Sequence, residues 1–169
     1  MKFIDCIDLV SEWTGRIAAW VVIPLMLVVI YEVSMRKLFN MPSEWGYDVC
    51  WMLFGLQFML GGAYTLLHKG HVRIDIVYNV LSPRGKLIFD AAVYIVFFLF
   101  VTILLTWAGF RFAADAWRTG ENLSTTGWPF PAAPIKTVIP VAFILLFLQS
   151  LSELIRNILL LRKEKVNES

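Results

Sequence analysis

The sequence predicts an all-α integral membrane protein in which four transmembrane helices follow a short interfacial amphipathic helix, and three observations carry that prediction. The 169 residues are 59% hydrophobic but only 17% charged, against roughly 25% charged in soluble domains, so polar residues are too few to cover a water-facing surface. Charge-free stretches run from Ile17 to Tyr31, Val49 to Leu67, Ala91 to Phe110 and Thr137 to Ser152. With helical flanks each approaches the ~20 residues that cross ~30 Å of hydrocarbon. Finally, these stretches are rich in Leu, Ile, Val and Phe without period-two alternation, and a spanning helix satisfies its own backbone, so helices are expected and barrel strands are not.

The chain is expected to form one membrane domain, 1–169. Residues 3–15 read as the interfacial helix: Phe3, Ile4, Ile7, Val10 and Trp13 share an apolar arc, while Asp5, Asp8 and Glu12 lie opposite. Because these mixed residues precede a long apolar run, no cleavable signal peptide is expected and the first span should stay attached. That span, about 16–38, contains Pro24, whose missing N–H and ring should bend it. Ser43 and Glu44 suit the start of the second span, 44–68, as cap and dipole partner. Gly55 and Gly62 share one face of it, and Gln57, Gly61 and Tyr64 an adjoining one, so it reads as a helix that packs closely against another. The third span is placed at about 86–111 and the fourth at about 136–160. Between them an external loop, 112–135, contains Pro129, Pro131 and Pro134, which should exclude regular helix. A cytoplasmic tail, 161–169, closes the chain.

Sorting Lys and Arg by side orients the bundle. Lys2, Arg16, Lys69, Arg73, Arg84, Lys86, Arg156, Arg162, Lys163 and Lys165 fall on one side. Arg36, Lys37, Arg111, Arg118 and Lys136 fall on the other. The excess places both termini and the middle loop in the cytoplasm of a bacterial inner membrane, with Trp45, Trp107, Trp117 and Trp128 in the outer aromatic belt. Cys6 and Cys50 then lie too far apart to bridge.

The constellations that carry chemistry are sparse. His68 and His71 are the only histidines, and neither a second pair for haem nor enough neighbouring ligands for zinc accompanies them, so no cofactor or metal is expected in this chain. Glu32, three quarters along the first span, has Arg36 one turn away and reads as a structural pair rather than an ion relay. Asp90 has Lys86 in the same relation. No nucleophile with a base, phosphate-cradling loop or paired carboxylates point to an enzyme, and nothing directs the chain to nucleic acid. Neither an internal repeat nor a pair of broken helices suggests a midplane substrate site. The cluster Gly70-His71-Val72-Arg73-Ile74-Asp75 reads either as a basic interfacial loop or as a specific contact with a partner or lipid.

Beyond these readings, Glu44-Trp45, Gly61-Gly62-Ala63-Tyr64, the Gly70–Asp75 cluster and Leu81-Ser82-Pro83-Arg84 resemble the small, DctQ-like permease subunit of tripartite ATP-independent periplasmic (TRAP) transporters. Glu121-Asn122-Leu123-Ser124, Gly127-Trp128-Pro129 and Pro134-Ile135-Lys136 resemble in particular the mannitol/chloroaromatic-type branch. The likeness covers about residues 30–157, and its most specific piece is the His71-Val72-Arg73-x-Asp75 element. It implies a scaffold subunit supporting a large permease that carries the substrate and sodium sites, fed by a periplasmic substrate-binding protein with an organic acid or related solute. On that resemblance the candidate contacts with partners or lipids are Glu44, Gly62, His71, Arg73, Asp75, Glu121, Ser124, Trp128, Pro129 and Pro134. Two other classes stay open, a stand-alone small exporter and a membrane anchor of a redox complex.

Overall fold

The computed structural model describes residues 2–68, 70, 81–123 and 129–167. Within them four helical runs are long and apolar enough to cross a bilayer: Ile4–Leu38, Gly46–Leu67, Arg84–Thr119 and Ala133–Arg162. The first comprises α1 (Lys2–Trp20) and α2 (Val22–Leu38), and the second is α3 (Gly46–Leu67). The third joins α4 (Pro83–Val93), a π-helical stretch (Tyr94–Leu99) and α5 (Phe100–Thr119), and the fourth is α6 (Ala133–Asn167). A two-residue hairpin, β1 (Asn122–Leu123) with β2 (Phe130–Pro131), connects α5 to α6.

The break between α1 and α2 falls one turn before Pro24. Proline has no N–H to offer the Trp20 carbonyl and its ring crowds that group, so regular helix lapses at Val21. The interruption is slight, since Val21 N–H donates to Ile17 O and Leu25 N–H to Val21 O, both at 3.2 Å. The expected interfacial helix over 3–15 is therefore not set apart. Those residues continue into the first span, with the polar edge of α1 turned inward: Ser11 is 1% exposed while Trp13 is 58% exposed. The physical reason is a set of polar partners on α6 that a lone amphipathic helix would lack.

Local chemistry fixes the other ends. Asn40 takes a left-handed conformation, φ 54°, which asparagine tolerates, and Met41 N–H returns to Met35 O at 3.1 Å. Trp45, not Ser43, occupies the N-cap position of α3, although Gly46 N–H donates to Ser43 Oγ at 3.1 Å, and the acid within the first turn is Asp48 and not Glu44. Ser82 caps α4 by accepting Gly85 N–H, and Pro83 occupies the first turn, where no N–H is needed. In the third span the Thr102 hydroxyl donates to the carbonyls of Phe98 and Leu99, at 2.6 and 3.2 Å, where π-helix gives way to α-helix. Gly120, φ 62°, ends α5.

The connection between the third and fourth spans, expected over 112–135, is shorter. Ala113, Ala114 and Ala116 favour helix and carry α5 to Thr119, and Pro134 lies in the first turn of α6, a position that tolerates proline. The hairpin pairs Asn122 with Pro131 and Leu123 with Phe130. Its base is closed by Ala132 N–H on Glu121 O at 2.8 Å and by the Lys136 ammonium donating to Glu121 Oε2.

The most extensive helix contact joins α5 and α6, and Gly109 permits it: a Cβ there would stand 3.2 Å from both Ile139 Cγ2 and Pro140 N. Leu66, Tyr94 and Leu154 form a small buried cluster that ties α3, the π-helical stretch and α6 together. Along the third span the surface carries large apolar side chains, with Val96, Phe97, Phe100 and Trp107 each more than 60% exposed, as suits lipid contact.

Candidate functional site

The functional geometry consists of polar groups gathered at the two ends of the bundle. At the end that carries the chain termini, α1 presents Asp8, Ser11 and Glu12 at helical spacings of three and four. From α6, Gln149, Ser152, Glu153 and Arg156 recur at the same spacings. The two stripes interlock. Ser11 Oγ donates to Gln149 Oε1 at 2.7 Å; Gln149 Nε2 and Ser152 Oγ both donate to Asp8 Oδ1 at 3.1 Å. Arg156 completes the cluster with one nitrogen on Asp8 Oδ2 at 2.5 Å and another on Glu153 Oε1 at 2.7 Å. Gln149 and Ser152 are wholly buried and Glu153 is 2% exposed, so charge is held inside the bundle only because it is paired and hydrogen-bonded.

Beside this cluster α1 also meets the end of α3. His68 Nε2 lies 2.9 Å from Glu12 Oε2, Arg16 Nε donates to Glu12 Oε1 at 3.0 Å, and the Tyr64 ring packs 4.3 Å from His68. His68 is thus engaged in an ion-pair geometry, and His71 lies outside the described residues. Among the described residues no group of three His, Cys, Asp or Glu side chains is arranged to hold a metal ion.

At the opposite end Glu32, 8% exposed, accepts from Arg36 Nη2 at 3.2 Å and from the Ser43 hydroxyl. Because Ser43 also receives the Gly46 N–H, one carboxylate joins the end of α2 to the beginning of α3. Tyr31 stacks on Trp45 at 5.4 Å over the same junction. The spacing of Glu32 and Arg36 pointed to this pair. Ser43, eleven residues beyond Glu32, was legible only as a cap.

Of the candidate contacts read from sequence, Glu44, Glu121, Pro129 and Pro134 are exposed at this second end. Glu121 is held by Lys136, whose ammonium also sits 4.1 Å from the centre of the Phe112 ring. Gly62 is on the membrane-depth surface of α3, and a Cβ added there meets nothing within 4 Å. Among the described residues it serves no close helix approach. His71, Arg73, Asp75, Ser124 and Trp128 lie outside the described residues. The structure brings Glu44, Glu121, Pro129 and Pro134 to one end and leaves Gly62 apart from them. Sequence reasoning missed the Asp8–Gln149–Arg156 cluster, although the polar stripe of Gln149, Ser152, Glu153 and Arg156 was its signal.

Four apolar helical runs tied at both ends by polar pairs define a multi-helix membrane protein. Comparison with known proteins makes that class specific. Residues 25–160 match the family model described as tripartite ATP-independent periplasmic transporters, DctQ component, and the chain belongs to that family. It is also 24% identical over 141 residues, 82% of its length, to the sialic acid TRAP transporter permease protein SiaT of Haemophilus influenzae (strain 86-028NP). The chain spans 22% of that relative's length. The family is a transporter component.

Proposed function

We propose that this chain is the small scaffold subunit of a sodium-coupled TRAP transporter. In this reading it braces a large permease subunit during uptake of an organic acid or related solute delivered by a periplasmic substrate-binding protein. It sits in the bacterial inner membrane with both termini cytoplasmic and contacts membrane lipids along its apolar faces. The mannitol/chloroaromatic-type assignment belongs to this proposal, on the strength of the Glu121–Ser124 and Gly127–Pro129 elements. The observation that carries the scaffold role is the engagement of Glu32 by Arg36 and Ser43. A deeply placed acid committed to holding two helices together suits a brace better than an ion path. The exposed Glu44, Glu121, Pro129 and Pro134, with Ser124 and Trp128, supply the periplasmic contacts. Gly62 packs at membrane depth, and His71, Arg73 and Asp75 supply contacts on the cytoplasmic side.

Orientation is tested with reporter fusions. Fusions at Ser169 and near Arg84 should be active only in the cytoplasm, and one near Asn122 only in the periplasm, as the ten-to-five division of Lys and Arg requires. Periplasmic activity at Ser169 would reverse the assignment.

The scaffold role is tested by uptake into proteoliposomes holding this chain and the large permease, with binding protein and sodium titrated separately. Glu32→Ala should lower the rate no more than about fivefold, the effect of losing roughly 1 kcal/mol of hydrogen bonding, with an unchanged sodium concentration for half-maximal uptake. A shifted sodium dependence would place Glu32 in the transport path and end the scaffold reading.

A further inference from the structure

Along the boundary of α3 and α6 the bundle is not closed. Near the end that carries the termini a hollow of about 500 Å³ lies between Gln57, Gly61, Gly62 and Thr65 of α3 and Ala142 and Phe143 of α6. A smaller one of about 160 Å³ follows between Gly55 and Met59 on one helix and Val138 and Ile139 on the other. A third, about 400 Å³, is lined by Asp48, Met52 and Ile135 together with Leu123 of the hairpin. These are parts of one seam. On α3 its residues Asp48, Met52, Gly55, Met59 and Gly62 recur in alternating steps of four and three, the 3.5-residue average of helices that lie along one another. From Tyr47 to Thr65 α3 rises roughly 27 Å at ~1.5 Å per residue, close to the ~30 Å of hydrocarbon. The opening therefore runs nearly the depth of the membrane.

We infer that this seam is the seat of a transmembrane helix of the large permease, an inference that rests on the scaffold reading above. The faces of this chain suited to lipid are bulky, exemplified by Val96, Phe97, Phe100 and Trp107 on the third span. The seam instead offers three glycines, Gly55, Gly61 and Gly62, whose Cβ positions each meet nothing within 4 Å. Small residues let a second helix backbone approach, whereas acyl chains gain nothing specific from them. Gln57 adds a polar requirement. Its amide is half-buried at membrane depth, and no side-chain hydrogen bond holds it among the described residues. A helix with a hydroxyl, amide or free carbonyl could satisfy it where lipid tails cannot. The choice of occupant follows from size. In the Haemophilus influenzae relative the matched region is 22% of a protein named a permease, so most of that polypeptide is additional chain of the kind that would sit beside this bundle.

The test uses the assembled complex with a photo-reactive benzoylphenylalanine placed at Met59 or Gly62, and at Val96 as the lipid-facing control. Illumination should join the large permease to Met59 and Gly62 at least about tenfold more than to Val96. Labelling of lipid alone at the seam, equal yields at Val96, or a product of twice the 19.4 kDa chain would overturn the assignment, the last by seating a second copy there. Gly62→Leu gives an independent reading. Because the isolated chain has open space at that Cβ, the variant should keep its own thermal midpoint. Recovery of the permease in a pulldown should nevertheless fall about tenfold or more, as when an added side chain is forced into a packed contact. Undiminished recovery refutes the seam. If the unaltered chain itself recovers no permease, the scaffold reading falls and the inference with it; if it does and only the seam results fail, the inference alone is wrong.

Discussion

Arg156→Ala is expected to lower the thermal-unfolding midpoint of the purified chain in detergent by roughly 5–10 °C. The guanidinium bridges Asp8 on α1 and Glu153 on its own helix, at 2.5 and 2.7 Å. Its removal leaves two carboxylates near each other, one of them 2% exposed. Breaking a buried ion pair from one side costs about 3–5 kcal/mol. The Arg156 and Asp8 side chains retain 36% and 22% exposure, so screening reduces the cost here to about 2–3 kcal/mol. For a chain of this length each kcal/mol moves the midpoint about 2–4 °C. Arg156→Lys should recover only part of the loss, because an ammonium lacks the planar fork that serves two carboxylates at once. A midpoint within about 2 °C of the unaltered chain would show that the cluster is not what ties α1 to α6.

That cluster also marks where sequence reasoning stops. Charge-free runs revealed the four spans because lipid imposes its demand residue by residue. Glu32 with Arg36 was readable because both lie on one turn-to-turn row of a single helix. Asp8 and Arg156 are 148 residues apart, and no local rule pairs them. Asp8 and Glu12 alone looked like the wet edge of an interfacial helix, since a polar stripe facing water and one facing another polar stripe have the same period. Only the matching stripe at Gln149, Ser152, Glu153 and Arg156 breaks the tie. Proline is ambiguous in a related way: Pro134 argues against helix by residue type, yet the first turn of a helix accepts it, so α6 begins earlier than the residue type alone suggests. At Gly62 the opposite occurred. A glycine face suggests close approach, but the sequence does not say from where; among the described residues the Cβ direction of Gly62 is open.

The second large effect is expected at Gly15, and it decides whether α1 is an integral member of the bundle. A Cβ at this position would lie 2.2 Å from Tyr64 Cγ, 2.3 Å from Cδ2 and 2.4 Å from Cβ. These atoms are the root of the tyrosine side chain, so a change of its tip cannot relieve the overlap. Tyr64 is further constrained by His68 against its ring, and His68 by Glu12 one turn before Gly15. Displacing the ring therefore disturbs the contacts that seat α1 on α3. Overpacking in a fitted contact ordinarily costs about 1–3 kcal/mol, and a branched side chain inserted at so short a distance should reach or exceed the upper value. Gly15→Leu should lower the midpoint by about 10 °C or more and reduce the recovery of monodisperse protein severalfold by size-exclusion chromatography, with Gly15→Ala intermediate. A surface helix lying apart along the membrane would tolerate leucine at Gly15 without loss. A wild-type midpoint for Gly15→Leu would therefore restore the separate interfacial helix and detach residues 3–15 from the bundle.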